Sequence, residues 1–173
     1  MRRWLALALA ITPPAVHAQA HPRERGPASP GAIFRYIVIG DSGRIELGRP
    51  FVQRSVIGKP AGPHLYRLVG PGGKPTSFGG TEAILVDLNA DSLVRAFHFI
   101  YPPGDRTFRE RVETYTQVLG PPRIEVLDSV GVHVRQAHWE DNRTTFDVIE
   151  TTSAGEVRQR AVLIDRRPKI DGR

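Results

Sequence analysis

Thr107-Phe108-Arg109-Glu110-Arg111-Val112-Glu113-Thr114-Tyr115-Thr116-Gln117-Val118-Leu119-Gly120-Pro121-Pro122 is the stretch on which the fold turns. Its first four residues have the form of a capping box. The Thr hydroxyl takes an orphan backbone N–H of the first helical turn, and Glu110 reaches back to the cap residue. Phe108, Val112, Tyr115 and Leu119 then recur at helical spacing and make one apolar stripe, whereas Arg109, Glu110, Arg111 and Glu113 lie largely off it. Gly120 can adopt the left-handed conformation that closes a helix, and Pro121 and Pro122 cannot continue one. The segment predicts an amphipathic helix with one face to bury.

Downstream, residues 130–139, 144–152 and 157–165 are rich in β-branched and aromatic side chains. The groups Glu140-Asp141-Asn142-Arg143 and Ser153-Ala154-Gly155-Glu156 between them are short enough only for an antiparallel meander. Upstream, the same order of features recurs. Ile57-Gly58-Lys59-Pro60 matches Leu119-Gly120-Pro121-Pro122, Ile84-Leu85-Val86 matches Phe146-Asp147-Val148, and Val94-Arg95 matches Val157-Arg158, all in one register to within a residue. This first unit reads as a short helix near Phe51 to Ile57 and strands over 64–69, 81–88 and 93–101, with a glycine-rich connection from Gly70 to Gly80. The expected class is therefore α+β: two tandem helix-plus-three-strand repeats, about 46–101 and 105–165, sharing an antiparallel sheet with the helices packed on one face. The other face is then open to solvent or to a partner.

The ends of the chain read differently. Arg2 and Arg3 precede an apolar run from Trp4 to Ile11, then Pro13, Pro14 and Val16-His17-Ala18, the order of a signal peptide over 1–20 cut after Ala18 or Ala20. The run is far shorter than the ~20 apolar residues of a spanning helix, so the mature chain is expected to have no transmembrane segment. Residues 21–31 read as a flexible linker, 32–167 as a single domain opened by a hairpin around Ile33 to Leu47, and 168–173 as a basic tail. A composition of 40% hydrophobic and 24% charged residues suits one domain with a real core. With no Cys, disulfides, thiolate chemistry and an acylated N-terminal cysteine are excluded. A formal charge of +6, less Arg2 and Arg3 once a leader is removed, is a mild bias and not the dense basic footprint of a nucleic-acid binder.

A short helix ending in Leu-Gly-x-Pro and followed by a strand meander resembles the fold family of the β-lactamase inhibitory proteins and the BamE-type outer-membrane assembly lipoproteins. The matching stretches are Phe51 to Pro60 with strands ending near Tyr101, and Thr107 to Pro122 with strands ending near Asp165. The resemblance implies an architecture and the habit of binding proteins through a sheet face. Unlike the lipoproteins, this chain has no cysteine to acylate, and unlike many of the inhibitory proteins it has none for disulfides.

No catalytic constellation, cofactor or metal site is read from the residues. His133 and His138 are an odd number of residues apart on one expected strand and so point to opposite faces. Ser42 in Gly40-Asp41-Ser42-Gly43 leads from strand to strand and not into the helix of a nucleophile elbow. Gly70-Pro71-Gly72-Gly73-Lys74 lacks phosphate-loop spacing. For binding, Trp139 stands out, since large aromatics carry much interface energy. It alternates with Ala137 and Arg135 against Val132, Val134 and His138, which places it on the open side if Val132 and Val134 face the helices and in the core if they do not, and Arg95, Phe97, Phe99 and Tyr101 share a face in the first unit. The binding candidates are thus Trp139, Arg135, Arg95 and Tyr101. The expected function is an exported, periplasmic or extracellular, non-enzymatic domain that binds another envelope or extracellular protein. The alternatives are a small hydrolase using His138 with Glu140 and Asp141, and an anion or polyanion binder using Arg158, Arg160, Arg166, Arg167, Lys169 and Arg173.

Overall fold

The computed structural model describes residues 32–39, 43–51, 58–69 and 80–166. The expected leader, linker and basic tail lie outside the described residues, as do Ser42, residues 52–57 of the helix expected near Phe51 to Ile57, and residues 70–79 of the glycine-rich connection from Gly70 to Gly80. A two-stranded hairpin comes first, β1 (Tyr36–Val38) with β2 (Arg44–Glu46). Then follow β3 (Lys59–Gly62), β4 (Leu65–Arg67), β5 (Ala83–Leu88), β6 (Val94–Ile100), α1 (Phe108–Leu119), β7 (Arg123–Ser129), β8 (Val132–Glu140), β9 (Thr144–Ser153) and β10 (Glu156–Asp165). The last eight strands form one antiparallel sheet in the order β3-β4-β5-β6-β10-β9-β8-β7.

Within this sheet each strand pairs with its neighbour in the chain, except at the centre, where β10 returns to β6 and sets Ala161 against Phe99 and Leu163 against Phe97. Turn chemistry supports the pairing. Between β9 and β10, Ala154 (φ 50°) and Gly155 (φ 80°) both take positive φ, the backbone of the two-residue turn whose twist matches the strands it joins. The α1 boundaries follow the sequence. Thr107 accepts from the Glu110 amide while the Glu110 carboxylate accepts from the Thr107 amide at 2.8 Å, closing the capping box, and Gly120 ends the helix at φ 83°.

One face of the sheet carries the core. Val86, Phe97, Leu163, Phe146 and Trp139 make one cross-strand row, and Ile84, Phe99, Ala161, Val148 and Ala137 the next, all of them buried. Phe108, Leu119, Val112 and Tyr115 of α1 pack on these rows together with Ile33, Ile37, Ile45 and Leu47 of the N-terminal hairpin. Phe34 lies edge-on to Phe99 and tilted against Phe146. Tyr115 meets Phe146 edge-on at 4.6 Å between ring centres.

The expected α+β class of tandem helix repeats is corrected by this architecture. The molecule is predominantly β, with α1 the one helix among the described residues. The core face that two helices were expected to cover is shared by α1 and a β-hairpin. The three-strand units are also corrected, because β7 precedes β8 and β3 precedes β4. The strand expected over 130–139 begins instead after the Val130-Gly131 turn, with Gly131 at φ 75°. The span expected as one strand over 64–69 is the second arm of a hairpin that turns at Pro63 and His64. Short apolar runs fix strand identity but not where tight turns cut them.

Replacing Thr107 by Ala removes the cap acceptor and is expected to lower stability by about 1 kcal/mol in urea denaturation. The Glu110 carboxyl is held below its usual value by its bonds to Thr107. What it contributes is therefore present above its unfolded pKa and lost as pH falls through the lowered folded value. The gap between wild type and Thr107→Ala should narrow in that acidic window.

Candidate functional site

Of the four residues singled out in the sequence, Trp139, Tyr101 and Arg135 lie on the covered face around α1, and Arg95 does not join them. Trp139 is 5% exposed, with its ring tilted against Phe146 and edge-on to Tyr115, and its indole N–H donates to the Gly120 carbonyl at 2.8 Å. It ties β8 to the end of α1. Tyr101 is likewise buried. Its hydroxyl bonds that of Tyr115 at 2.9 Å, and burial raises its pKa well above the usual phenol value. Arg135 shares Trp139's face but is half exposed, lying over the Phe108 ring and paired with Glu150. Arg95 belongs elsewhere. A register shift between β5 and β6 at Asp87 and Leu88 lets its guanidinium pair with Asp87, whose cross-strand partner is Ala96.

Beneath the first half of α1 lies a polar network that the sequence reading missed. Arg111, placed off the apolar stripe in that reading, is 3% exposed. Its Nε donates to Gln159 at 2.8 Å, its Nη2 to Asp105 at 3.2 Å, and its guanidinium stacks 3.4 Å above the Tyr101 ring. Gln159 donates in turn to Glu150 at 2.8 Å, and the buried Glu150 also accepts from Nε of Arg135 at 2.9 Å. A buried charge persists only when its partners are in place. Here they are held by β9, β10 and the helix together. Residues 108, 111 and 115 stand at helical spacing on one face, and that spacing was the available sign that an Arg had been built into the buried side.

The opposite sheet face carries no helix or second strand layer among the described residues. Register alone lays a row across it: Leu85, His98, Val162, Asp147, His138 and Arg123. Flanking rows bring Ile100, Arg160, Ile149 and Gln136 together on one side, and Ala96, Ile164 and Thr145 on the other. Its two central carboxylates are engaged. Asp147 accepts from Gln136 at 2.9 Å and meets His138 Nδ1 at 2.6 Å, and Asp87 holds Arg95 and lies 3.9 Å from His98. Burial lowers the His98 pKa against the opposing pull of Asp87, with Arg160 and Arg95 adding to the lowering. The face is half apolar, with the exposed Arg160 guanidinium without an ion pair among the described residues.

His138 does meet Glu140, Nε2 to Oε2 at 3.5 Å, but Asp141 is spent on the amides of Ile33, Arg143 and Thr144. Each imidazole nitrogen of His138 thus has a carboxylate within reach, Asp147 at Nδ1 and Glu140 at Nε2. Glu140 in addition holds Arg166 at 2.7 Å. His133 pairs with Asp128 on the opposite face, as its odd separation from His138 requires. A shallow groove of about 300 Å³ lies instead against α1, lined by Asp105, Arg106, Glu110, Glu113, Thr114 and Gln117. Among the described residues no group of three or more His, Asp or Glu is disposed to hold a metal ion, and no helix is long and apolar enough to cross a membrane.

Truncating Glu150 to Ala strands Arg135 and Gln159 and is expected to cost at least about 2 kcal/mol in denaturant unfolding followed by Trp139 fluorescence. Glu150→Gln, which keeps an acceptor, should cost less. No family model, no curated protein and no solved structure matches this chain.

Proposed function

We propose that this chain is an exported, non-enzymatic binding domain that receives another protein of the envelope or the exterior on the uncovered face of its large sheet. The observation that carries the reading is the asymmetry of that sheet. One face is filled by α1 and the N-terminal hairpin, and the other presents Ile149, Ile100, Ile164 and Val134 partly open to water around Arg160, which has no ion-pair partner among the described residues. Large antiparallel sheets leave one face wet, but an ordinary wet face is polar and charge-balanced. Here Asp147 is hydrogen-bonded to Gln136 and His138, and Asp87 is paired with Arg95. The face suits a partner surface that is apolar at its centre and carries a carboxylate to meet Arg160, since complementary charge at a desolvated contact fixes orientation and excludes wrong partners.

The leader read from residues 1–20 supports the exported setting.

Affinity capture from envelope extract tests the proposal. Wild-type protein should retain a saturable partner. Ile149→Asp and Arg160→Glu should each weaken retention by about tenfold or more, the scale of a 1.4 kcal/mol loss, with thermal unfolding unchanged. Trp139→Phe, on the covered face, should bind as wild type does. Retention that survives both open-face substitutions would sink the idea.

A further inference from the structure

The sheet has two outer edges, and the sequence treats them in opposite ways. At one end stands β3, Lys59-Pro60-Ala61-Gly62, four residues long, with a lysine, a proline that has no N–H to offer and an irregular register between Pro60 and Gly62. These are the devices that keep an edge from pairing with another chain. At the other end stands β7, Arg123-Ile124-Glu125-Val126-Leu127-Asp128-Ser129, whose seven residues pair with β8 without interruption. It contains no lysine, proline or glycine, and Ile124, Val126 and Leu127 are 50%, 52% and 62% exposed. Every second residue of such a strand points its N–H and C=O away from the sheet, and among the described residues no strand takes them.

We propose that β7 is a pairing edge whose occupant is β7 of a second copy, joined antiparallel about a two-fold axis to make one sheet across two molecules. This stands on the edge of the sheet and not on its open face. Antiparallel ladders set outward-pointing residues opposite outward-pointing residues, so a two-fold must pass through a residue and not between two. Three centres are available. An axis at Glu125 opposes two carboxylates directly, which is destabilising. An axis at Leu127 leaves Arg123 and Ile124 unpaired. An axis at Val126 uses the whole strand: Val126 faces Val126, Ile124 faces Asp128, Glu125 faces Leu127 and Arg123 faces Ser129. No charge then opposes its like, and Glu125 arrives neutralised by its own Arg123 at 2.9 Å. Such an isologous contact closes on itself and ends at two copies.

An edge-to-edge contact is narrow, at or below the ~1,200 Å² that marks weak association, so it should be read between about 10 μM and 1 mM, the range of weak complexes. Sedimentation equilibrium across that range should show a monomer–dimer equilibrium. Val126→Lys should shift the midpoint at least about tenfold, the scale of a 1.4 kcal/mol loss, whereas Val38→Lys on β1, Ile149→Asp and Arg160→Glu should leave it in place, so that failure here and failure of the open-face reading are separable. Circular dichroism melting keeps the Val126→Lys result interpretable. Because the chain has no cysteine, a single Val126→Cys reports the axis. On mild oxidation it should form a covalent dimer at least about tenfold faster than Ser129→Cys, which lies off the axis. A chain that stays monomeric throughout the range, a dimer indifferent to Val126→Lys, or equal cross-linking rates at the two positions would overturn the proposal. So would β7 amides that gain hydrogen-exchange protection only when envelope extract is added, which would assign the edge to a foreign strand.

Discussion

The pairing of β6 with β10 is the constraint from which the rest of the molecule follows. Five residue pairs, Arg160 with Ile100 through Ile164 with Ala96, fasten one run of four strands to the other. Without this seam the rows Val86-Phe97-Leu163-Phe146-Trp139 and Ile84-Phe99-Ala161-Val148-Ala137 would be half-rows, each too narrow to bury a helix. Joined, they give α1 and the hairpin a continuous apolar floor. Burial of this kind, at roughly 25 cal/mol per Å² of apolar surface, must carry a chain that has no disulfide to limit its unfolded state.

The floor also determines where polarity is tolerated. Arg111 goes under the helix only because Gln159 and Asp105 meet its guanidinium and Tyr101 offers its ring face. Tyr101 and Asp105 come from the segment just ahead of the helix and Gln159 from β10, 48 residues away, so the network is complete only in the folded molecule. It joins α1 to β10 through Gln159 and to the segment ahead of the helix through Asp105 and Tyr101. Trp139 adds a second fixed point at the far end of the helix through the Gly120 carbonyl.

The sequence carried the parts of this arrangement that depend on local chemistry. The capping box at Thr107, the stripe from Phe108 to Leu119 and the glycine stop at Gly120 all stand where residue types demand. It was silent where the decision is tertiary. The alternation that separates Trp139 and Arg135 from Val134 and His138 is plain in the residues, yet both faces of β8 are part apolar, and only the position of α1 tells which is covered. Arg95 was assigned with Phe97 and Phe99 because period-two counting assumes an unbroken ladder, and the irregularity at Asp87 and Leu88 breaks it. β7 was overlooked because Arg123-Ile124-Glu125-Val126 is weak as a strand alone and the Val130-Gly131 turn lacks the Asn or Asp that advertises a hairpin. The candidate face was legible as a possibility, while its row from His98 to Arg123 exists only through the register of six strands.

The order in which the polypeptide emerges gives the central seam a further meaning. Among the described residues β10 follows every other strand of the sheet in the chain, and it occupies the middle of the sheet, between β6 and β9. Until it arrives, the earlier strands end in two bare flanks, and no partial product has a closed hydrogen-bonded layer to settle into. Such long-range topology makes folding slow compared with a locally wired chain. A nascent chain of this design therefore remains open until β10 is free, and a fragment cut short before Glu156 would expose β6 and β9 as two adhesive borders.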